Sequence, residues 1–307
     1  MRIAIAGGSG FLGRSLTSAL LSAGHHVQVL SRQTVRQAPK TRDGRIELVN
    51  WTPDGTLGPW ATSCAGADIV INLAGESIGK RRWSAKRKAE LITSRLLPTR
   101  SLVKFIDGAM PPPSAFLSGS AIGFYGNRGD ETLTEDATEG RGFLAELAWR
   151  WEQEALNAES DTTRVVFLRT GMVLDTNEGA LQKLIPPFKL FGGGPFGTGR
   201  QQVSWIHRDD WVSLVQWVIC TPGVRGPVNL TAPRPLTSAE FAHALGRALR
   251  RPARMAMPSS LLKMVLGEMA EPLLLFSQRV IPERALKGGF RFAFDTLDAA
   301  LGDLLVS

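Results

Sequence analysis

The chain has 307 residues, of which 43% are hydrophobic and 21% are charged, a balance typical of globular proteins and unlike that of disordered chains. Its formal charge of +8 would permit acidic partners. A nucleotide-phosphate site uses the same basic residues, however, and no zinc-finger spacing or RNA-binding aromatic signature is present, so we expect no nucleic-acid partner. No apolar run approaches a membrane span, and the first strand begins too close to Met1 for a signal peptide. We therefore expect no membrane partner and a cytoplasmic protein.

The N-terminal thirteen residues have the pattern of a strand, a glycine turn and a helix. Residues 3–6 form a short apolar run, Gly7, Gly10 and Gly13 follow at once, and the apolar positions beyond them recur at helical spacing. In a dinucleotide-binding turn, the first glycine permits the tight turn, the second lets the backbone approach a pyrophosphate, and the third lets the helix pack closely on the sheet. The pattern predicts such a site, the alternative being a plain strand-to-helix turn.

The end of the second strand indicates which dinucleotide binds. Residues 27–30 read as that strand, and its end should lie beside the adenosine ribose, where a cofactor without a 2′-phosphate calls for Asp or Glu. Ser31 and Arg32 stand there instead, and the first acidic residue of the chain is Asp43. Because a guanidinium and a hydroxyl suit a phosphate monoester, we predict NADP(H) rather than NAD(H). Alternatively, Arg32 is a solvated loop charge.

Two further strands follow. Residues 45–51 alternate like a strand, and residues 67–73 form a buried one that runs into Ala74 and Glu76. In a doubly wound sheet, ligands lie beyond the carboxyl ends of the strands, so residues 73–76 should line the cofactor crevice. Glu76 could accept from a ribose hydroxyl or could be an exposed loop acid.

The densest basic cluster comes next, at residues 80–88. A charge run is usually a solvated helix face, but Arg81 and Arg82 are nearer the predicted crevice and could reach a phosphate. Helical spacing resumes over residues 91–106, and we expect Pro98 to interrupt it.

The middle of the chain continues the alternation. Residues 114–126 predict a strand with Ser120 at its mouth, followed by an aromatic residue between glycines. Residues 142–157 predict a helix, and the buried strand 165–168 delivers residues 169–174 to the same edge. Alternating strands and helices indicate βαβ units and a parallel sheet whose strand ends share one rim.

From Pro186 onward the pattern changes. Residues 191–202 are too rich in glycine for regular structure and predict a loop over a binding site or a hinge. Residues 204–210 lead into a helix, and residues 227–230 form a short strand. The remainder is helical by pattern, over residues 238–249, 259–276 and 294–305. We expect residues 1–175 and 207–232 to form one domain, and residues 176–206 and 233–307 a smaller one.

Several short motifs together resemble a known family. They are Gly-Gly-x-Gly-Phe-x-Gly at residues 7–13, Asn-Leu-Ala-Gly-Glu at 72–76, Arg-Trp at 82–83, Ser-Arg at 94–95, Gly-Phe-Tyr-Gly at 123–126, Trp-Glu at 151–152, Arg-Thr-Gly-x-Val-Leu at 169–174 and Trp-Ile-His at 205–207. With them the chain resembles an extended, atypical short-chain dehydrogenase/reductase of the NAD(P)-dependent epimerase/dehydratase group, and more narrowly a family of epimerase-like proteins with a C-terminal domain of unknown function. The resemblance covers essentially the whole chain.

The resemblance implies an α/β fold, in which a Rossmann doubly wound parallel sheet carries a smaller, mainly helical C-terminal substrate domain. The dinucleotide role of the glycine turn carries over directly. The predicted NADP(H) site consists of Gly7, Gly8, Ser9, Gly10, Phe11, Leu12, Gly13, Ser31, Arg32, Leu73, Ala74, Gly75, Glu76, Arg82 and Met172.

The catalytic groups of the superfamily carry over only in part. Ser120 occupies the position of its Ser or Thr. The superfamily also uses a Tyr with a Lys four residues later, which lowers the pKa of the phenol. The single tyrosine here, Tyr125, is followed at that distance by Gly129, and at the helix where the pair belongs stand Phe143 and Leu147. The usual dyad is therefore absent.

Two functions remain open. The chain could be an NADP(H)-dependent oxidoreductase or epimerase-like enzyme acting on a small molecule, such as a nucleotide-sugar or another carbonyl or hydroxyl compound. Tyr125, His207 or Asp209 could then serve as acid or base. His207 has the most suitable intrinsic pKa, although a structural role is favoured for it. Alternatively, the chain catalyses nothing and acts as an NADPH-binding regulator or sensor.

Overall fold

The computed structural model describes residues 1–32 and 45–306. The strands are β1 (Arg2–Ala6), β2 (His26–Ser31), β3 (Ile46–Asn50), β4 (Ile69–Asn72), β5 (Ala115–Ala121), β6 (Thr132–Leu133), β7 (Arg164–Thr170), β8 (Met172–Leu174), β9 (Gln202–Val203), β10 (Trp205–His207), β11 (Gly226–Leu230), β12 (Leu236–Thr237) and β13 (Arg279–Val280). The helices are α1 (Phe11–Ser22), α2 (Trp60–Cys64), α3 (Ala85–Asp107), α4 (Phe143–Leu156), α5 (Gly179–Lys189), α6 (Arg208–Cys220), α7 (Ser238–Leu249), α8 (Ser259–Leu266), α9 (Glu283–Lys287) and α10 (Leu297–Val306).

Seven of these strands form one parallel sheet. Its order is β11-β7-β5-β4-β1-β2-β3, and each neighbouring pair is parallel. The chain moves outward in one direction from β1 to β3 and then returns to the other side of β1 at β4. The crevice at this reversal is where a doubly wound sheet binds its ligand. The predicted Rossmann fold is confirmed.

Both faces of the sheet are covered, and alternate residues of each strand contribute to opposite cores. Ile3 and Ile5 pack with Leu16 of α1 and Trp211 of α6. Ala4 and Ala6 point to the other face, whose core includes Leu102 of α3. This two-sided burial explains why the strands read as continuous apolar runs in the sequence.

Two helix predictions differ from the structure. We expected Pro98 to interrupt a helix, but α3 continues through it. Proline removes one backbone donor, and the loss is offset here because Pro98 is buried in the packed interior. The helix predicted over residues 259–276 ends instead at Leu266, because Gly267 adopts a φ of +65°. A 3₁₀ turn (Gly267–Met269) and a π turn (Glu271–Leu275) follow.

The smaller, mainly helical part has a separate core, in which α5, α7 and α10 contribute Leu181, Leu245 and Leu301. The segment between α8 and α10 contacts elements of the larger part. The strand β13 pairs with β6, and Phe290 and Phe292 pack on the core that holds α1 and α6. The division into two domains stays a prediction. In the described ranges, no helix has the length and apolar character needed to cross a membrane.

Candidate functional site

The glycine turn between β1 and α1 is closely packed on three sides. Gly7 has a φ of +79°, and a Cβ atom there would lie 2.6 Å from the carbonyl carbon of Leu73. A Cβ atom on Gly13 would lie 2.1 Å from the carbonyl oxygen of Gly7, and one on Gly8 would lie 2.9 Å from Cγ1 of Val29. These separations are too short for a side chain, so the turn requires glycine. It holds the end of β1 against β4 and against the start of α1.

The start of α1 is suited to an anion. Its N-cap residue, Gly10, has no side chain that could accept from the first amides of the helix, and the first turn contains no acidic residue. The amides of Phe11, Leu12 and Gly13 and the helix dipole therefore favour a bound phosphate group. Arg14 donates to the carbonyl oxygen of Ser9 at 2.9 Å, which supports the turn from the side.

The end of β2 faces the segment after β4, as the doubly wound topology requires. Ser31 is buried, whereas the side chain of Arg32 is 72% exposed. Arg32 Nη2 lies 3.8 Å from Oε1 of Glu76, at the limit of an ion pair, so an exposed contact of this kind contributes little stability. The guanidinium is thus available to a phosphate, and Glu76 as a ribose acceptor stays a prediction. Asp43 lies outside the described residues.

An arginine that sequence reasoning did not select lies under the crevice. A Cβ atom on Gly75 would be 3.3 Å from Cζ of Arg95, which stacks 5.2 Å from the ring of Trp151. Arg95 donates to the carbonyl oxygens of Glu76 and Leu91, both at 3.1 Å. Its burial lowers the pKa of the guanidinium to about 10. The only sequence signal was the Ser-Arg motif on a predicted helix.

The other two predicted cofactor residues lie at the edges of this region. Arg82 donates to the carbonyl oxygen of Met264 at 2.7 Å and thereby contacts the C-terminal segment. Met172 begins β8 and pairs with Trp205 of β10. Their contacts with a cofactor stay predictions.

Ser120 belongs to a buried polar network. Its hydroxyl donates to Oε1 of Glu152 at 2.6 Å. Arg169 donates to both carboxylate oxygens of Glu152, each at 2.8 Å, and both charged side chains are 5% exposed. Such a bidentate pair compensates two charges that would be costly to bury alone. The hydroxyl of Ser120 therefore donates to a carboxylate, whereas a short-chain dehydrogenase would direct the corresponding serine to its substrate.

Tyr125 joins the same network and is fully buried. Its hydroxyl donates to Oδ1 of Asn229 at 2.7 Å and accepts from Nη1 of Arg169 at 3.0 Å. Burial raises the pKa of this phenol, so it holds its proton firmly. A general acid or base must reach the substrate, and in this structure the hydroxyl of Tyr125 is directed to a structural amide.

His207 is fully buried at the start of α6. Its Nδ1 accepts from the backbone amide of Asp209 at 3.1 Å, and its ring lies 3.9 Å from that of Phe294. Burial lowers the pKa of His207, with the carboxylates of Asp209 and Asp303 acting in the opposite direction. The geometry is that of a helix cap, which is a structural role and not a catalytic one.

The His207→Asn variant should remove one component of acid sensitivity. A buried histidine with a lowered pKa stabilises the fold above its unfolded value of 6.5, and that stability is lost as the pH falls below it. Asparagine caps a helix without titrating. Urea unfolding from about pH 7.5 to about pH 5.5 should therefore show a smaller loss of stability in the variant. His243→Asn, at an exposed position, is the control, and equal losses in all three proteins would contradict the assignment.

The place of the missing dyad is apolar. Phe143 begins α4, and its ring lies 5.1 Å from that of Trp83 with an interplanar angle of 68°. Leu147 is buried one turn later. Neither side chain can carry a proton.

Comparison with known proteins agrees with this geometry. Residues 3–229 match the model of the NAD dependent epimerase/dehydratase family, and residues 257–304 match a domain of unknown function (DUF1731). Epimerase family protein Mb2239 of Mycobacterium bovis is 40% identical over 98% of this chain and 96% of its own length. Epimerase family protein YfhF of Bacillus subtilis is 37% identical over 99% of this chain and 98% of its own.

A solved structure extends the comparison to the fold. Human epimerase family protein SDR39U1 (isoform 2), crystallised with NADPH, superposes with a TM-score of 0.88 at 33% identity, and the match covers all of both chains. The family resemblance predicted from the motifs is therefore confirmed, and the chain belongs to the NAD dependent epimerase/dehydratase family with a C-terminal DUF1731 domain.

Proposed function

We propose that the chain binds NADP(H) at the glycine turn and acts as an oxidoreductase on a small carbonyl or hydroxyl compound. The observation that carries the proposal is the glycine turn, in which Gly7 and Gly13 have no room for a side chain and the start of α1 is free to hold a phosphate. The crystallisation of human SDR39U1 with NADPH supports the same cofactor. Bound there, the nicotinamide would donate or accept a hydride.

Each part of the cofactor has residues suited to it. The amides of Phe11, Leu12 and Gly13 would hold the pyrophosphate. Ser31 and Arg32 stand where the 2′-phosphate of NADP(H) would lie, and neither of these two residues is acidic. Segment 73–76 closes the crevice from the neighbouring strand, β4.

A second function, a non-catalytic NADPH-binding regulator, is favoured by one observation. Phe143 and Leu147 occupy the helix positions where the superfamily carries its proton-transferring pair. Turnover with any acceptor would exclude this alternative, whereas tight NADPH binding without turnover across carbonyl, quinone and sugar-nucleotide panels would support it.

The Arg32→Asp variant tests cofactor choice. Replacing the guanidinium by a carboxylate removes a charged hydrogen bond, worth about 1.5–3 kcal/mol, and adds repulsion toward a 2′-phosphate. We expect NADPH affinity to fall at least about tenfold in calorimetric titrations while NADH affinity changes little. Arg254→Asp, at an exposed position between α7 and α8, makes the same change of net charge and should alter neither affinity. Equal losses for NADPH and NADH in Arg32→Asp would rule out 2′-phosphate recognition there.

A further inference from the structure

A cavity of about 130 Å³ is lined in part by Gly123 and Gly126, which follow the carboxyl end of β5. Trp83, from the segment after β4, and Phe143, at the start of α4, form one wall, and Phe276 of the C-terminal segment contributes another. The cavity therefore lies between the sheet domain and residues that belong to the DUF1731 match. In a doubly wound fold this is the side on which a substrate meets the cofactor.

The volume limits the size of the occupant. A cavity of roughly 150 Å³ holds a molecule the size of benzene, whereas pockets for drug-sized ligands measure about 300–1,000 Å³. A compound of about one ring therefore matches the volume of the cavity, whereas the further rings and the phosphates of a nucleotide-sugar would have to extend outside it.

The lining favours a flat ring. The rings of Trp83 and Phe143 meet edge to face at 5.1 Å, so this wall presents aromatic carbon to the cavity. Lys88 lies over the Phe143 ring, 5.2 Å from its centre, and holds that ring in place by a cation–π contact. Aromatic walls of this kind bind conjugated compounds better than saturated ones, since flat π-systems can stack on them.

The charge balance of the cavity favours a product that carries negative charge. Arg141 is exposed on its wall and, within residues 1–32 and 45–306, forms no ion pair. The two acidic residues of the wall are compensated, Glu268 by Lys88 and Glu271 by Lys263. The guanidinium is therefore the charge without a counter-ion at this cavity.

The lack of a proton donor further limits the reactions that this cavity could support. Reduction of an ordinary ketone produces an alkoxide, which is as basic as hydroxide and needs a proton donor as it forms. Phe143 and Leu147 cannot donate one, and the hydroxyls of Ser120 and Tyr125 donate to Glu152 and Asn229. A quinone instead yields a phenolate-type anion, whose conjugate acid has a pKa of about 10, so no proton from the protein is required.

We propose that this cavity receives a one-ring quinone, which accepts a hydride from NADPH bound at the glycine turn. The inference rests on the proposed function. The C–H bond at C4 of the reduced nicotinamide breaks with its electron pair, and the quinone gains that hydride. The quinone is reduced by two electrons to the hydroquinone monoanion, NADPH is oxidised to NADP⁺, and the anion takes its second proton from water. Arg141 stabilises the anion as it forms.

The test uses the full-length protein with 2,6-dimethyl-1,4-benzoquinone and, as a saturated comparison, cyclohexanone. Oxidation of NADPH is followed by absorbance, with the rate in the absence of protein subtracted. We expect saturable quinone reduction and no cyclohexanone reduction. In calorimetry, the matching hydroquinone should bind the protein loaded with NADP⁺, which gives a readout that does not depend on turnover.

Substitutions at the cavity wall test whether the quinone is reduced there. Phe143→Leu should raise the KM for quinone about tenfold, and Arg141→Gln should lower kcat/KM about tenfold, while both retain wild-type NADPH affinity. Trp149→Leu is the control, since Trp149 lies on the exposed face of the same helix and should alter neither quantity.

The outcomes separate this inference from the proposed function. Wild-type protein that binds NADPH but neither reduces the quinone nor binds the hydroquinone would overturn the quinone site and leave the cofactor site intact. Wild-type protein that fails to bind NADPH would overturn both. Reduction of the quinone with equal losses in Phe143→Leu and Trp149→Leu would place the reaction outside this cavity and also overturn the inference.

Discussion

The Gly13→Ala variant is expected to lose NADPH binding by more than about 100-fold and to be less stable by roughly 1–3 kcal/mol. The added methyl group would lie 2.1 Å from the carbonyl oxygen of Gly7 and 2.6 Å from Cα of Gly8, and both contacts are with backbone that no rotamer change can relieve. The turn must therefore open, which moves the amides of α1 away from the pyrophosphate position. Calorimetric titration and urea unfolding measure the two effects.

Gly302→Ala is the matched control for this substitution. Gly302 lies within α10, and a Cβ atom there would meet nothing within 4 Å. Alanine is the better helix former by about 0.5–1 kcal/mol, so this variant should be equally or more stable and should bind NADPH normally. NADPH affinity retained by Gly13→Ala would mean that the cofactor does not use the start of α1.

The Glu152→Gln variant is expected to lose about 3–5 kcal/mol of stability. Glu152 accepts two hydrogen bonds from Arg169 and one from Ser120, and its neutral replacement leaves the guanidinium buried without its counter-charge. The network connects β5, α4 and β7, so its loss weakens the packing of α4 on these two strands. Urea unfolding followed by far-UV circular dichroism gives the free energy.

Two further variants separate a fully buried ion pair from a partly exposed one. Glu154, on the same helix, pairs with Arg100, whose side chain is 46% exposed, and Glu154→Gln should cost clearly less stability than Glu152→Gln. The double variant Glu152→Leu/Arg169→Met removes both buried charges and should be less destabilised than the sum of its two single changes. A loss for Glu152→Gln no greater than that for Glu154→Gln would contradict the assignment.

The sequence was sufficient for the sheet and the glycine turn because local patterns determine both. Buried strands are short apolar runs, and the spacing of Gly7, Gly10 and Gly13 reflects contacts within a few residues of chain or with the neighbouring strand. The break at Gly267 was missed, since an apolar helical pattern continues on both sides of it while the backbone conformation changes at that one residue.

The side-chain network could not be predicted from the sequence. Tyr125 donates to Asn229, 104 residues away, and Arg169 reaches Tyr125 over 44 residues. No local periodicity reports such a contact, so the same residues read as candidate catalytic groups. Arg95 was overlooked for a similar reason, because an arginine on a predicted helix is usually a solvated charge and its burial arises only from the approach of Gly75 and Trp151.

The most direct test of the cofactor assignment is a pair of calorimetric titrations of the wild-type protein, one with NADPH and one with NADH, at the same salt concentration. The glycine turn and Arg32 predict one NADPH bound per chain with an affinity at least about tenfold higher than that for NADH, which corresponds to about 1.4 kcal/mol. Equal affinities, tighter binding of NADH or no binding of either dinucleotide would contradict it.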